Sequence, residues 1–142
     1  MNIAIANRQR RVPLDRPMLR RLCRNILAAH ATDANLSLCY VDNAAIRALN
    51  ARHLQRDEAT DVLAFPLDGP GADSPDRLLG EIVVSAEMAR SEAARRRIPV
   101  ARELALYTAH GLLHLLGYGD HTPAERRAIR RAESRALISI GL

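Results

Sequence analysis

Four short apolar runs constrain what this chain can fold into: Asn2–Ala6 (NIAIA), Asn35–Val41 (NLSLCYV), Thr60–Phe65 (TDVLAF) and Leu79–Ser85 (LGEIVVS). Each has strand length and is bounded by turn or cap residues. Helix-patterned segments fill the first two gaps between runs. The third gap, LDGPGADSPD, has the chemistry of a mobile loop. Strands separated by helices are expected to be parallel neighbours, and the loop after Phe65 predicts one antiparallel step.

The helices have legible ends. Asp15 is placed to cap a helix to about Ala31, with Pro17 in its first turn. Leu19, Leu22, Cys23, Ile26 and Leu27 form its apolar face. Asp42 opens a second helix, ending near Arg52, that turns Ile46 and Leu49 inward. Ser85 caps a third to about Arg97, where Pro99 ends it. A fourth spans Arg102–Leu116, with Leu104, Leu112 and Leu115 as core candidates. Thr122-Pro123-Ala124-Glu125 is a capping box that starts a fifth, to about Ser139, with Arg126, Arg127, Arg130 and Arg131 on its outer face. The expected fold is α+β: a four-stranded mixed β-sheet covered by about five helices, in one domain over residues 1–142.

Composition narrows the function classes. A chain of 142 residues supports a single real core. The N-terminus MNIAIANRQRR lacks the long apolar run of a signal peptide. No apolar stretch reaches the roughly 20 residues that cross a bilayer. Cys23 and Cys39 have no CxxC spacing and read as reduced thiols of a cytoplasmic protein. Net charge is +5, and all 21 basic residues are arginine. Arginine forks suit phosphate polymers, but codon bias in a GC-rich genome produces the same composition. The only aromatics are Tyr40, Phe65, Tyr107 and Tyr118, too few for a base-stacking platform.

The chemistry is concentrated in HGLLHLLGYGDH, which holds three of the five histidines. His110 and His114, four apart on a helix, share a face. Gly117 stops that helix, and the capping box at Thr122 starts the next. The intervening turn is short enough to carry His121 back towards the pair. Three imidazoles and one open position make a single-ion Zn2+ site able to activate water. His30 and His53 sit near predicted helix ends, where the dipole favours imidazolium. Zinc peptidases of the H-E-x-x-H type place a glutamate where this chain has Gly111, so their general base is missing. RNA brings its own nucleophile, a 2′-hydroxyl beside the scissile phosphate, and needs less help from a protein base.

HGLLHLLGYGDH resembles the H-G-x-L-H-L-x-G-Y-D-H signature of the YbeY endoribonucleases, the rRNA maturation factors. Leu49-Asn50, TDVLAFP from Thr60 to Pro66, and LGEIVVS resemble that family's other blocks, in order. The resemblance implies an α+β fold and a metal-dependent endoribonuclease specific for single-stranded RNA. It implies processing of ribosomal RNA, notably the 3′ end of the small-subunit RNA, and ribosome quality control. The ribosome or its small subunit is then a partner, and no membrane is. The implied metal is zinc, held by His110, His114 and His121, with His114 also assigned to catalysis. Two alternatives are a zinc-braced assembly factor without catalysis and a metallopeptidase-like hydrolase.

Two departures from the family pattern bear on the site. An extra residue, most simply Gly119, moves the third histidine to His121, eleven residues after His110, and leaves Asp120 at the family's ten-residue offset. Asp120 is therefore the alternative ligand, although glycine can loop out with little strain and so favours His121. Many members also carry an arginine six residues before the threonine of the TDVL block. Here Leu54 stands there, flanked by Arg52 and Arg56, which are the candidates to take over its catalytic or RNA-binding role.

Overall fold

The computed structural model describes residues 1–54, 60–68 and 76–142. The elements follow the order β1 (Ile3–Asn7), α1 (Arg16–Ala29), β2 (Asn35–Val41), α2 (Asn43–Leu54), β3 (Val62–Pro66), β4 (Leu78–Ser85), α3 (Ala86–Arg96), α4 (Val100–Leu115) and α5 (Pro123–Ser139). The sheet order is β1-β2-β4-β3. β1 runs parallel to β2, β2 runs parallel to β4, and β3 pairs antiparallel with β4. The fold is therefore α+β with a mixed sheet, as the alternation of runs and helices predicts. The loop expected at LDGPGADSPD lies largely outside the described residues.

Local chemistry sets the helix starts. The Asp15 carboxylate accepts from Met18 N–H, the Asp42 carboxylate from Ala45 N–H, and the Ser85 hydroxyl from Met88 N–H. Thr122 Oγ1 accepts from Glu125 N–H, with Pro123 in the first turn. Each cap satisfies an amide that has no partner inside its helix. α3 ends differently from the proline stop expected of it. Arg97 adopts a left-handed conformation at φ 57°, two residues before Pro99.

Strand alternation sorts side chains to two faces. Leu36, Leu38, Tyr40, Ile82 and Val84 face the main core, which α1, α4 and α5 complete with Leu19, Leu22, Leu112, Leu113, Ile129 and Leu137. Val41, Leu63 and Val83 face the other way, onto Ile46 of α2. α4 lies at the centre of the main core and is apolar on most of its circumference. Its Gly111 lies against the sheet: a Cβ there would sit 2.7 Å from Ile82 Cγ2 and 3.0 Å from Val62 Cγ2. The close approach of α4 to β3 and β4 thus requires glycine at this position. It also turns position 111 into the core and leaves His110 and His114 on the flank that meets α5.

Candidate metal centre

The turn after α4 builds the site from backbone geometry. Gly117 takes φ +105°, which a side chain would resist. Gly117 N–H donates to His114 C=O and Tyr118 N–H to Leu113 C=O, the paired bonds of a Schellman motif. That motif folds Tyr118 back over the last helical turn. Its carbonyl then accepts from His114 Nδ1–H at 2.8 Å. A carbonyl only accepts, so Nδ1 of His114 carries the proton and Nε2 presents a lone pair.

His110 is held by a second element. Its Nδ1–H donates to Glu133 Oε1 of α5 at 3.1 Å. The Glu133 side chain is only 12% exposed, so this pair is well shielded from water. The two Nε2 atoms therefore converge, 2.9 Å apart. Two lone pairs pointed at each other repel, and a shared proton or a metal cation relieves that repulsion. Both rings have the arrangement common to metal-bound histidine, with one nitrogen for the ion and the other anchored to an acceptor.

Asp120 supplies a third donor. Its Oδ2 lies 3.5 Å from His114 Nε2. Among the described residues, the ligand atoms of His110, His114 and Asp120 form the one group of three or more lying within 4.8 Å of one another. Two nitrogens and a carboxylate oxygen suit a borderline cation such as zinc, so the residues present fit a metal. His121, the expected third ligand, has its side chain 91% exposed, with Nδ1 4.0 Å from Asp120 Oδ1. Gly119 lacks the positive φ seen at Gly117. It packs beneath the Glu125 carboxylate, where a Cβ would collide. Arg126 Nη1 donates to the carbonyls of both Asp120 and His121. The turn is thus pinned by α4 at one end and by the first turn of α5 at the other.

His30 supports the same turn from α1. Its Nδ1–H donates to Ile26 C=O at 2.7 Å, which leaves Nε2 to accept from the Tyr118 hydroxyl at 2.8 Å. His30 is the C-cap of α1 and also braces the turn after α4. His53 is exposed and packs edge-on against Phe65, with ring centroids 5.3 Å apart.

His110 opens onto a cleft of about 460 Å3 between α3, α4, α5 and the start of β3, lined among others by Asp61, Glu92, Glu103, Tyr107 and Glu133. Glu133 is the main cause of a raised His110 pKa, through its hydrogen bond; burial opposes it, and the charges of Glu133, Asp61 and Asp120 reinforce it. In the metal-free protein this contributes stability at acidic pH, which is lost as pH rises through the raised pKa. Glu133→Gln is expected to lower the His110 pKa in an NMR titration and to weaken metal binding by roughly 10–100-fold. Unchanged values of both would remove Glu133 from the site.

Arg52 is exposed in the last turn of α2 and does not line this cleft. Arg56 lies outside the described residues. Sequence reasoning missed Glu133 and the bracing roles of Arg126 and His30. Glu133 had a readable signal: it lies four residues from both Ile129 and Leu137, on the buried stripe of α5.

Comparisons with known proteins agree with this architecture. The family model described as Endoribonuclease YbeY matches residues 4–141. An Endoribonuclease YbeY of Moorella thermoacetica is 39% identical over 155 aligned positions, covering 100% of this chain and 99% of that protein. One from Carboxydothermus hydrogenoformans is 36% identical and covers 97% of this chain and 96% of its own length. One from Anaeromyxobacter sp. strain Fw109-5 is 43% identical over 82% of this chain, a match spanning 60% of that longer protein. A solution structure from Thermotoga maritima shares the fold, with a TM-score of 0.68 at 22% identity, covering 97% of this chain and 88% of that one. With a family match over nearly its whole length and relatives of this similarity, the chain belongs to the Endoribonuclease YbeY family.

Proposed function

We propose that this protein is a zinc-dependent endoribonuclease that cleaves single-stranded RNA. In the cell we assign it to ribosomal RNA processing, at the 3′ end of the small-subunit RNA, and to ribosome quality control, in the cytoplasm. The observation that carries the reading is the convergence of His110 Nε2 and His114 Nε2 at the mouth of a cleft, with both Nδ1 atoms anchored. Family membership supplies RNA as the substrate class. Structural zinc sites are usually closed by four protein ligands. A two-histidine, one-carboxylate set beside an open cleft favours catalysis over a brace that only holds the fold together.

The chain's own groups have distinct tasks in this reading. Glu133 and the Tyr118 carbonyl hold the Nδ1 protons of His110 and His114 and keep both Nε2 atoms turned inward. Asp120 lowers the charge of the ligand set by one and reaches it from the turn. When bound, the ion supplies Lewis-acid polarisation of a phosphoryl oxygen. Exposed arginines of α5, among them Arg127, Arg130 and Arg131, offer phosphate contacts along the approach. No helix among the described residues is long and apolar enough to cross a membrane.

The third ligand is the sharpest point to test. We place Asp120 there because its carboxylate already lies beside the pair, whereas His121 must leave solvent to take the position. Asp120→Ala should abolish stoichiometric zinc binding, read by metal analysis after dialysis and by RNA cleavage with and without chelator. His121→Ala should retain most of both. The reverse pattern would assign the ligand to His121, and chelator-insensitive cleavage by every preparation would sink the enzyme assignment.

A further inference from the structure

Glu103 has no task in the metal site, yet it lies in the same cleft. It is 1% exposed; the Tyr107 hydroxyl meets its carboxyl, but its Oε2 is buried without a hydrogen-bond partner. The other carboxylates lining the cleft are engaged. Glu133 holds His110, Glu92 pairs with Arg95 and Arg96, and Asp61 Oδ1 accepts from Val62 N–H and the Thr60 hydroxyl. Glu103 belongs to no group of metal-ligating atoms among the described residues, so a second ion is not its purpose. A buried acceptor left unpaired is costly, and such atoms are rare in native folds. Its placement therefore points to a donor that arrives with a ligand.

Helical spacing locates this oxygen relative to the chemistry. Glu103, Tyr107, His110 and His114 follow one another at steps of four, three and four residues along one stripe of α4. Seven residues separate Glu103 from His110, a rise of roughly 10 Å. That is comparable with the reach from a backbone phosphate to the pairing edge of its own base. Met88, Leu106 and Tyr107 give the intervening cleft wall its apolar surface. A carboxylate oxygen only accepts, so it suits a base that carries an exocyclic amino group. Uracil presents carbonyl oxygens on both sides of its single N–H, and these would face the carboxylate.

We propose that Glu103 reads the base of the nucleotide beside the scissile phosphate, selecting adenine, cytosine or guanine against uracil. The assignment rests on the endoribonuclease reading above. The test is cleavage of a random-sequence single-stranded RNA pool by the full-length zinc-loaded protein, with cut sites mapped by sequencing. Wild type should use uracil at least roughly 10-fold less than the amino-bearing bases at one position adjacent to the cut. Glu103→Gln, whose amide both donates and accepts, should reduce that bias to within about 2-fold. Glu103→Asp, which keeps the charge but withdraws the oxygen, should weaken the bias and serves if the glutamine variant does not fold. Flat base usage by wild type, or an unchanged bias in the folded variants, would overturn the subsite alone. Absence of chelator-sensitive cleavage by wild type would overturn the endoribonuclease reading, and the subsite with it.

Discussion

On the proposed zinc-dependent reading, His114→Ala is expected to eliminate both metal-dependent RNA cleavage and the stabilisation of the folded protein by added zinc. The substitution removes one of the two converging Nε2 atoms and leaves the Tyr118 carbonyl without its donor. Loss of an outer partner of a ligand typically costs about 10–100-fold in metal affinity, and loss of the ligand itself should cost more. The thermal signature is equally direct. At a hundredfold excess over Kd, a ligand that binds only the native state stabilises it by about 2.7 kcal/mol. For a domain of this size that raises Tm by roughly 10 °C. Wild type should show the shift on zinc addition and lose it with chelator, and His114→Ala should show neither. A full zinc shift in the variant would mean the ion sits elsewhere. Tyr118→Phe is the control for the neighbouring turn: it removes the hydroxyl that meets His30 but keeps the carbonyl that holds His114. It should cost about 1 kcal/mol of stability and leave most of the activity.

Gly111→Glu, which restores the H-E-x-x-H pattern of zinc peptidases, will unfold the protein rather than give it a protease's base. The side chain would not face the ion. It would enter the contact between α4 and the sheet, where even a Cβ lies 2.7 Å from Ile82 Cγ2. Ile82 is fully buried and Val62 packs against the same core. Overpacking of this kind costs about 1–3 kcal/mol, and burying an unpaired carboxylate adds several more. Against a total stability of roughly 5–15 kcal/mol, the sum is disabling. Gly111→Ala separates the two terms. It gains about 1 kcal/mol of helix propensity and meets the same contact, so a net loss of about 0–2 kcal/mol is expected in urea denaturation. A stable Gly111→Glu protein with normal helix content would show that α4 is free to shift from the sheet. Gly111 therefore argues against proteolysis twice: by its missing carboxylate, and by its orientation.

Much of this fold was legible in the sequence because the relevant signals are local. Strand runs, alternation and cap residues act within a few positions of where they stand, so Asp15, Ser85 and Thr122 announce their helices before any contact across the molecule is known. The antiparallel β3–β4 step followed from a gap without helical pattern. Helical spacing likewise placed His110 and His114 on one face, and Gly117 marked the stop. The strand order β1-β2-β4-β3 was not readable, because it depends on which edges meet after collapse.

The turn after α4 shows where local signals fail. Spacing alone allows either Asp120 or His121 to return from the turn. The difference lies in contacts made at a distance: Gly119 under Glu125, and Arg126 on the two carbonyls of the turn. Glu133 reaches His110 across 23 residues of chain, and His30 reaches Tyr118 across 88. No periodicity encodes such partners, since they are set by how helices pack. The elements, the mixed character of the sheet and the pairing of His110 with His114 on one helix face were readable from sequence, because hydrophobic period, capping and i,i+4 geometry are short-range. Packing across the molecule set the rest: Gly111 faces the sheet, Glu133 and Tyr118 orient the two imidazoles, the Asp120 carboxylate lies beside them while His121 faces solvent, and Glu103 Oε2 is buried without a partner. Those depend on which surfaces are pressed together, and that is a property of the packed molecule.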